Sequence, residues 1–136
     1  MTNLVQKWIE RHDLEVNRHR FYLFGDNVER VGMGGQAGAM RGERNAIGIP
    51  TKWTPSSDPA AFFRDSDFVV VKEIIDKELK RVRHILGHRG EVVLPADGLG
   101  TGLSRLPETS PKISDYLDGQ LSEMGWKKGD DNVWTA

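Results

Sequence analysis

Glu91-Val92-Val93-Leu94-Pro95-Ala96-Asp97-Gly98-Leu99-Gly100-Thr101-Gly102 is the stretch that decides the fold. A short apolar run of β type passes directly into three glycines at alternate positions, with Thr101 among them and Ser104 just beyond. Glycine lacks the Cβ that blocks tight bends and the close approach of backbone to ligand. The N–H groups of such a loop can converge on an anion, with the hydroxyls as further donors. Open α/β sheets hold phosphorylated ligands in loops of this kind, at the carboxyl ends of their strands.

Working outward, the remaining segments read as alternating strands and helices. Thr2 and Asn3 are capping types before Leu4, Val5, Trp8 and Ile9, whose spacing predicts a helix over residues 2–12. Phe21-Tyr22-Leu23-Phe24 reads as a buried strand that stops at the turn-forming Gly25-Asp26-Asn27. A second glycine-rich stretch, residues 32–42, enters a short helix near Gln36. Residues 45–51 give another strand, and the Pro-, Ser- and Asp-rich loop 54–67 carries Phe62 and Phe63, which predicts packing onto the core or a ligand.

The clearest helix runs from about Asp67 to Leu86. Val71, Ile74, Ile75, Leu79, Val82 and Ile85 form its apolar stripe, interrupted by Glu78. Glu73–Lys77 and Asp76–Lys80 are expected as pairs on its outer face. Ser110 then reads as an N-cap with Pro111 at the first helical position, and Ile113, Tyr116, Leu117 and Leu121 as the buried stripe. Two short strands around a polar turn are expected within 124–135. The fold class implied is α/β: one domain with a mostly parallel central sheet, joined by right-handed crossovers. In such a sheet both glycine loops lie on one edge and face each other across a cleft.

Composition narrows the function. The chain of 136 residues carries 19 Lys and Arg against 20 Asp and Glu, a net charge of −1, which excludes a protein that mainly coats nucleic acid. It contains no cysteine, and so no disulfide scaffold, thiolate metal site or cysteine nucleophile. No apolar run approaches membrane-spanning length, and a cytoplasmic location with no membrane partner is expected. His84 and His88 stand four apart but lack the adjacent glutamate of a zinc helix, so they read as helix-end residues; no metal and no cofactor are expected. The first glycine stretch has no Gly-Lys-Ser or Gly-Lys-Thr, which excludes a nucleotide-hydrolase phosphate loop. Ser104 lacks the second glycine of a nucleophile elbow.

Three groups remain for chemistry. Asp26 and Asn27 either close a turn or present a carboxylate to a base amine or ribose hydroxyl. Lys52 either snorkels at the surface or enters the cleft as a cation for phosphate or an amine nucleophile for a sugar carbon. The two glycine loops supply the anion cradle.

The motifs Phe24-Gly25-Asp26-Asn27, the glycine stretch, Ile49-Pro50-Thr51-Lys52 and Leu94-Pro95 through Leu103 occur in an order that resembles the macrodomain superfamily. The resemblance covers roughly residues 21–121, and it is nearest to compact macrodomain-like proteins of bacteria and their phages, which would place a phage-encoded form in the host cytoplasm. It implies a three-layer α/β/α domain that binds ADP-ribose or a related NAD-derived nucleotide. It further implies that Asp26 reads adenine, that Gly34, Gly35 and Ala37 wrap the distal ribose, and that residues 98–102 hold the diphosphate. The candidate ligand set is Asp26, Asn27, Gly34, Gly35, Gln36, Ala37, Thr51, Asp97, Gly98, Leu99, Gly100, Thr101 and Gly102.

Pro50-Thr51-Lys52 is similar to a triplet in macrodomains that remove ADP-ribose from glutamate or DNA bases, where the lysine acts on the distal ribose. This makes an ADP-ribosyl hydrolase, with Lys52 as key residue and ADP-ribosylated DNA or protein as partner, the alternative function. Ser104 stands where some of those enzymes carry an aspartate. A third reading is an interaction protein that keeps the fold without a ligand.

Overall fold

The computed structural model describes residues 2–136. In chain order the elements are β1 (Asn3–Gln6), α1 (Arg11–Val16), β2 (Arg20–Asn27), α2 (Ala37–Met40), β3 (Ala46–Lys52), α3 (Phe68–Gly87), β4 (Glu91–Pro95), α4 (Leu106–Thr109), α5 (Pro111–Glu123), β5 (Lys127–Lys128) and β6 (Trp134–Thr135). The first four strands form one sheet in the order β1-β4-β2-β3, and every adjacent pair is parallel. Strands β5 and β6 form a separate antiparallel hairpin. The fold is therefore mixed α/β around a parallel sheet, with the crossover segments carrying helices.

Alternation along the strands divides the core in two. Leu23, Ile47, Ile49, Val92 and Leu94 pack with Val71, Ile75, Leu79 and Val82 of α3 and with Ile113, Leu117 and Leu121 of α5. Tyr22, Phe24 and Val93 pack with Leu14 of α1 and with Ala37 and Met40 of α2. Strands buried on both faces explain why β2 and β4 read as unbroken apolar runs. Glu78, the interruption in the α3 stripe, accepts a 2.9 Å bond from Arg30. The ion pair within α3 joins Lys72 to Asp76 at 2.8 Å beside α5, rather than Glu73 to Lys77 or Asp76 to Lys80 on the outer face. Tyr116 of α5 donates its hydroxyl to the same Asp76, which draws that carboxylate toward α5 and Lys72.

The expected helix over 2–12 is corrected to strand β1 followed by the short helix α1. Leu4 packs on one side of the sheet and Val5 on the other, a period of two that the local sequence pattern concealed. Pairing with β4, Gln6 opposite Pro95, decides the outcome. Asn3 caps nothing; its amide donates to the Met124 carbonyl at 3.0 Å. The helix starts only at Arg11, where Asp13 accepts the Glu10 N–H at 2.8 Å. The β2 strand also outruns its expected stop at Phe24, because pairing with β3 carries it through Asp26 and Asn27. Elsewhere the expected elements stand within a few residues, and Phe62 and Phe63 are buried in the core.

Two tryptophans fasten the C-terminal hairpin. The Trp126 indole donates to the Leu4 carbonyl at 2.9 Å, and the Trp134 N–H donates to Ala96 at 2.8 Å. Among the described residues, no helix is long and apolar enough to cross a membrane. Ser110 caps α5 as expected: its oxygen accepts the Ile113 N–H at 3.2 Å and its hydroxyl donates to Asp65 at 2.7 Å. Loss of both bonds in Ser110→Ala is predicted to cost about 1–2 kcal/mol in urea unfolding. An unchanged midpoint would show that the cap contributes nothing.

Candidate functional site

Because β2, β3 and β4 are parallel, their carboxyl ends share one edge, and the loops that follow them enclose a cleft of about 740 Å³. That volume falls in the range of small-molecule sites, roughly 300–1,000 Å³. One wall is the loop between β2 and α2, and the facing wall is the loop between β4 and α4. Asp26, Arg41 and Lys52 lie in the cleft, and the tip of the C-terminal hairpin completes the rim at Asp131, Asn132 and Val133.

A small junction sets the distance between the loops. The Gln36 side-chain oxygen accepts the Gly25 N–H at 2.8 Å, and its amide donates to the Gly98 carbonyl at 3.3 Å. Thr51, fully buried, bonds the Asp26 carbonyl at 3.2 Å and the Ser104 hydroxyl at 2.6 Å. Gly100 has φ +80°, and a Cβ there would stand 2.9 Å from Leu106 Cβ and 3.2 Å from Thr51 Cγ2. Across the cleft, a Cβ on Gly34 would stand 2.9 Å from Leu103 Cδ1. The two glycine loops do meet, at Gly34 and the tip of the exposed Leu103 side chain, while Gly100 is held against Leu106 and Thr51 where a Cβ has no room.

Both loops leave donors unused. Among the described residues, the N–H groups of Gly32, Met33, Gly34, Gly35 and Gln36 donate to no protein acceptor, nor do those of Gly100, Thr101, Gly102, Leu103 and Ser104. Unpaired backbone donors on either side of a cleft are the material of an anion site.

The charged groups divide sharply. Asp26 is buried, and its carboxylate accepts from the Asn27 N–H at 2.8 Å, Arg30 Nη1 at 3.2 Å, and Arg41 Nη1 at 3.3 Å and Nη2. Those four donors use the roughly four acceptor positions a carboxylate offers. Arg41 also donates through Nε to the Gly32 carbonyl at 2.7 Å, so the same arginine ties the first loop to β2. Lys52 is buried and, among the described residues, has no carboxylate partner. Its ammonium donates to the Ser56 carbonyl at 2.8 Å and lies 4.5 Å from the centre of the Phe62 ring. Burial pushes its pKa below the ordinary lysine value.

Residues 4–120 match the family described as "Family of unknown function (DUF7831)". The chain belongs to that family. No curated protein and no solved structure matches it. The matched DUF7831 region runs from Leu4 in β1 through most of α5, with both glycine loops, and leaves the C-terminal hairpin outside it.

In this DUF7831 protein, the expected site residues fall into three groups. Gly34, Gly35, Ala37, Gly100, Thr101 and Gly102 line the cleft directly, and so does Asp97. Asp26, Asn27 and Gln36 reach it while holding the walls together, and the Asn27 amide donates to the Val31 carbonyl at 2.7 Å; Thr51 does not line the cleft but is fully buried behind it, bonded to Asp26 and Ser104. Gly98 and Leu99 are buried behind the second loop, where a Cβ on Gly98 would stand 2.7 Å from the Trp134 indole nitrogen. His84 and His88 lie far along α3, where His88 Nδ1 bonds the His84 carbonyl at 2.8 Å. Arg30, Arg41, Leu103 and the hairpin tip were not foreseen. Arg41 is fifteen residues from its partner Asp26, and no local spacing rule links them.

Lys52 yields a pH prediction. Its folded pKa lies below the unfolded value of 10.5, so above the folded pKa the unfolded state binds more protons. Its burden on stability is fully present below the folded pKa and is relieved as pH rises toward 10.5. Lys52→Met should therefore melt higher than the parent at neutral pH, with the gap narrowing through the alkaline range. A gap that widens with pH would contradict this assignment.

Proposed function

We propose that this protein binds ADP-ribose or a related NAD-derived nucleotide in the cleft between its two glycine loops. The observation that carries this reading is the pair of facing backbone runs, 32–36 and 100–104, whose N–H groups have no acceptor among the described residues. A diphosphate offers them oxygens on both sides. Lys52 adds positive charge to the cleft, whereas the charge of Arg41 is spent on Asp26, and a charge-assisted bond to phosphate is roughly twice as strong as a neutral one. The reading includes the finer architecture, a three-layer α/β/α macrodomain-like domain, supported by helices packed against both faces of the sheet. It also includes a cytoplasmic location, where NAD-derived ligands are met.

A second reading rests on Lys52. A buried amine with a lowered pKa, on the strand end beside the Thr51–Ser104 hydroxyl pair, is suited to act on a sugar carbon. That makes the protein an ADP-ribosyl glycohydrolase for modified DNA or protein, with no cofactor. Ser104 already shares its hydroxyl with Thr51 and offers no carboxylate, which favours holding over cutting.

Isothermal titration separates these readings. ADP-ribose is expected to bind more tightly than AMP, because AMP lacks the diphosphate. Absence of heat with ADP-ribose, NAD, ADP and AMP would leave the protein as an interaction module. Release of free ADP-ribose from an ADP-ribosylated oligonucleotide, lost in Lys52→Ala, would make hydrolysis the function instead.

A further inference from the structure

Trp8 exposes 78% of its surface, whereas Trp126 and Trp134 are almost wholly buried. An indole this exposed leaves ring surface open for a flat partner to stack on. The sheet fixes its neighbour. Gln6 lies opposite Pro95, so the two parallel chains leave the sheet side by side and bring Trp8 level with Asp97. Both line a second cavity of about 270 Å³, with Lys7, Gly35, Gln36 and Met40 among its walls. Gly35, Gln36 and Asp97 also line the main cleft, so the two cavities adjoin across one thin wall. The smaller volume suits one ring system of a ligand held mainly elsewhere.

The two carboxylates at this edge differ in the same sense. All the acceptor positions of Asp26 are taken by Asn27, Arg30 and Arg41. The Asp97 carboxylate is exposed, and among the described residues it makes no hydrogen bond or ion pair; only its backbone carbonyl is engaged, by the Thr101 hydroxyl at 2.9 Å. A donor on a ligand would have to displace arginine from Asp26 but meets no competitor at Asp97. Lys7 lies 5.7 Å from the Trp8 ring centre, so one indole face is lined by a cation and the other is left for a partner.

We propose that Trp8 and Asp97 form the base-reading subsite: an amine-bearing purine stacks on the Trp8 indole and donates its exocyclic amine to the Asp97 carboxylate, while the attached phosphates lie on the glycine loops. This rests on the nucleotide-binding reading above and assigns the base to the β1–β4 end of the cleft. Asp26 then serves as a positioning residue, ordering the first loop through Arg41.

The test compares AMP, inosine monophosphate, ADP-ribose and inorganic pyrophosphate by calorimetry, with tryptophan fluorescence in parallel. Base stacking on an aromatic predicts a loss of about 5- to 100-fold in AMP and ADP-ribose affinity in Trp8→Ala, with pyrophosphate binding unchanged. Asp97→Ala is expected to make AMP and inosine monophosphate bind alike, and AMP should quench fluorescence in the parent but not in Trp8→Ala. Unchanged ADP-ribose affinity in both variants would overturn the subsite while leaving the anion site intact. Failure of the parent protein to bind pyrophosphate or any nucleotide would instead remove the nucleotide reading itself, and this inference with it. Both side chains are exposed, so melting temperatures close to the parent's are expected and confirm that the variants fold.

Discussion

Gln36 joins three pieces of backbone that would otherwise be free to move apart. Its carboxamide accepts from Gly25 at the end of β2 and donates to Gly98 after β4, while its own backbone begins α2. Two bonds from one short amide fix the separation of the glycine loops. A Cβ on Gly25 would stand 3.4 Å from both the Gly100 nitrogen and the Thr51 hydroxyl, in ordinary van der Waals contact, so β2 runs close beside the second loop and the end of β3. The shape of the cleft follows from this junction, and the junction follows from the parallel register of β2, β3 and β4.

The same edge collects polar groups that a core would not tolerate. Strand ends run out of ladder partners, and the loops beyond them turn away before a new element begins. Their N–H groups stay open to water, which costs little until a ligand replaces that water. Arg41 offsets the burial of Asp26 and restrains the first loop by its bonds to Gly32 and Val31. Lys52, with no carboxylate partner among the described residues, lies against Phe62. A buried positive charge beside unused donors favours an anionic ligand, and the same contrast leaves Asp97 as the free acceptor at the opposite end.

Elements with long-range apolar period were legible in the sequence. The α3 stripe, the Ser110 cap with Pro111, and the β4 run leading into the glycine loop announce themselves within a few residues. Residues 3–6 did not, since four residues fit either period and only pairing with β4 chooses between them. Asp26 and Asn27 carried turn chemistry, yet sheet pairing kept them extended. In the candidate site, the glycines and Lys52 could be found because backbone and charge requirements are local. The Asp26–Arg41 bond and the adjacency of Trp8 to Asp97 are products of folding, invisible to spacing along the chain.

In the proposed function, the two backbone runs at this edge hold the phosphate oxygens of the ligand. Amide chemical shifts of the ¹⁵N-labelled protein, followed during titration with ADP-ribose, test it most directly. Saturable shifts concentrated at residues 32–36 and 100–104 are expected, with the far end of α3 unmoved. Shifts that spare both runs at saturating ADP-ribose would contradict it.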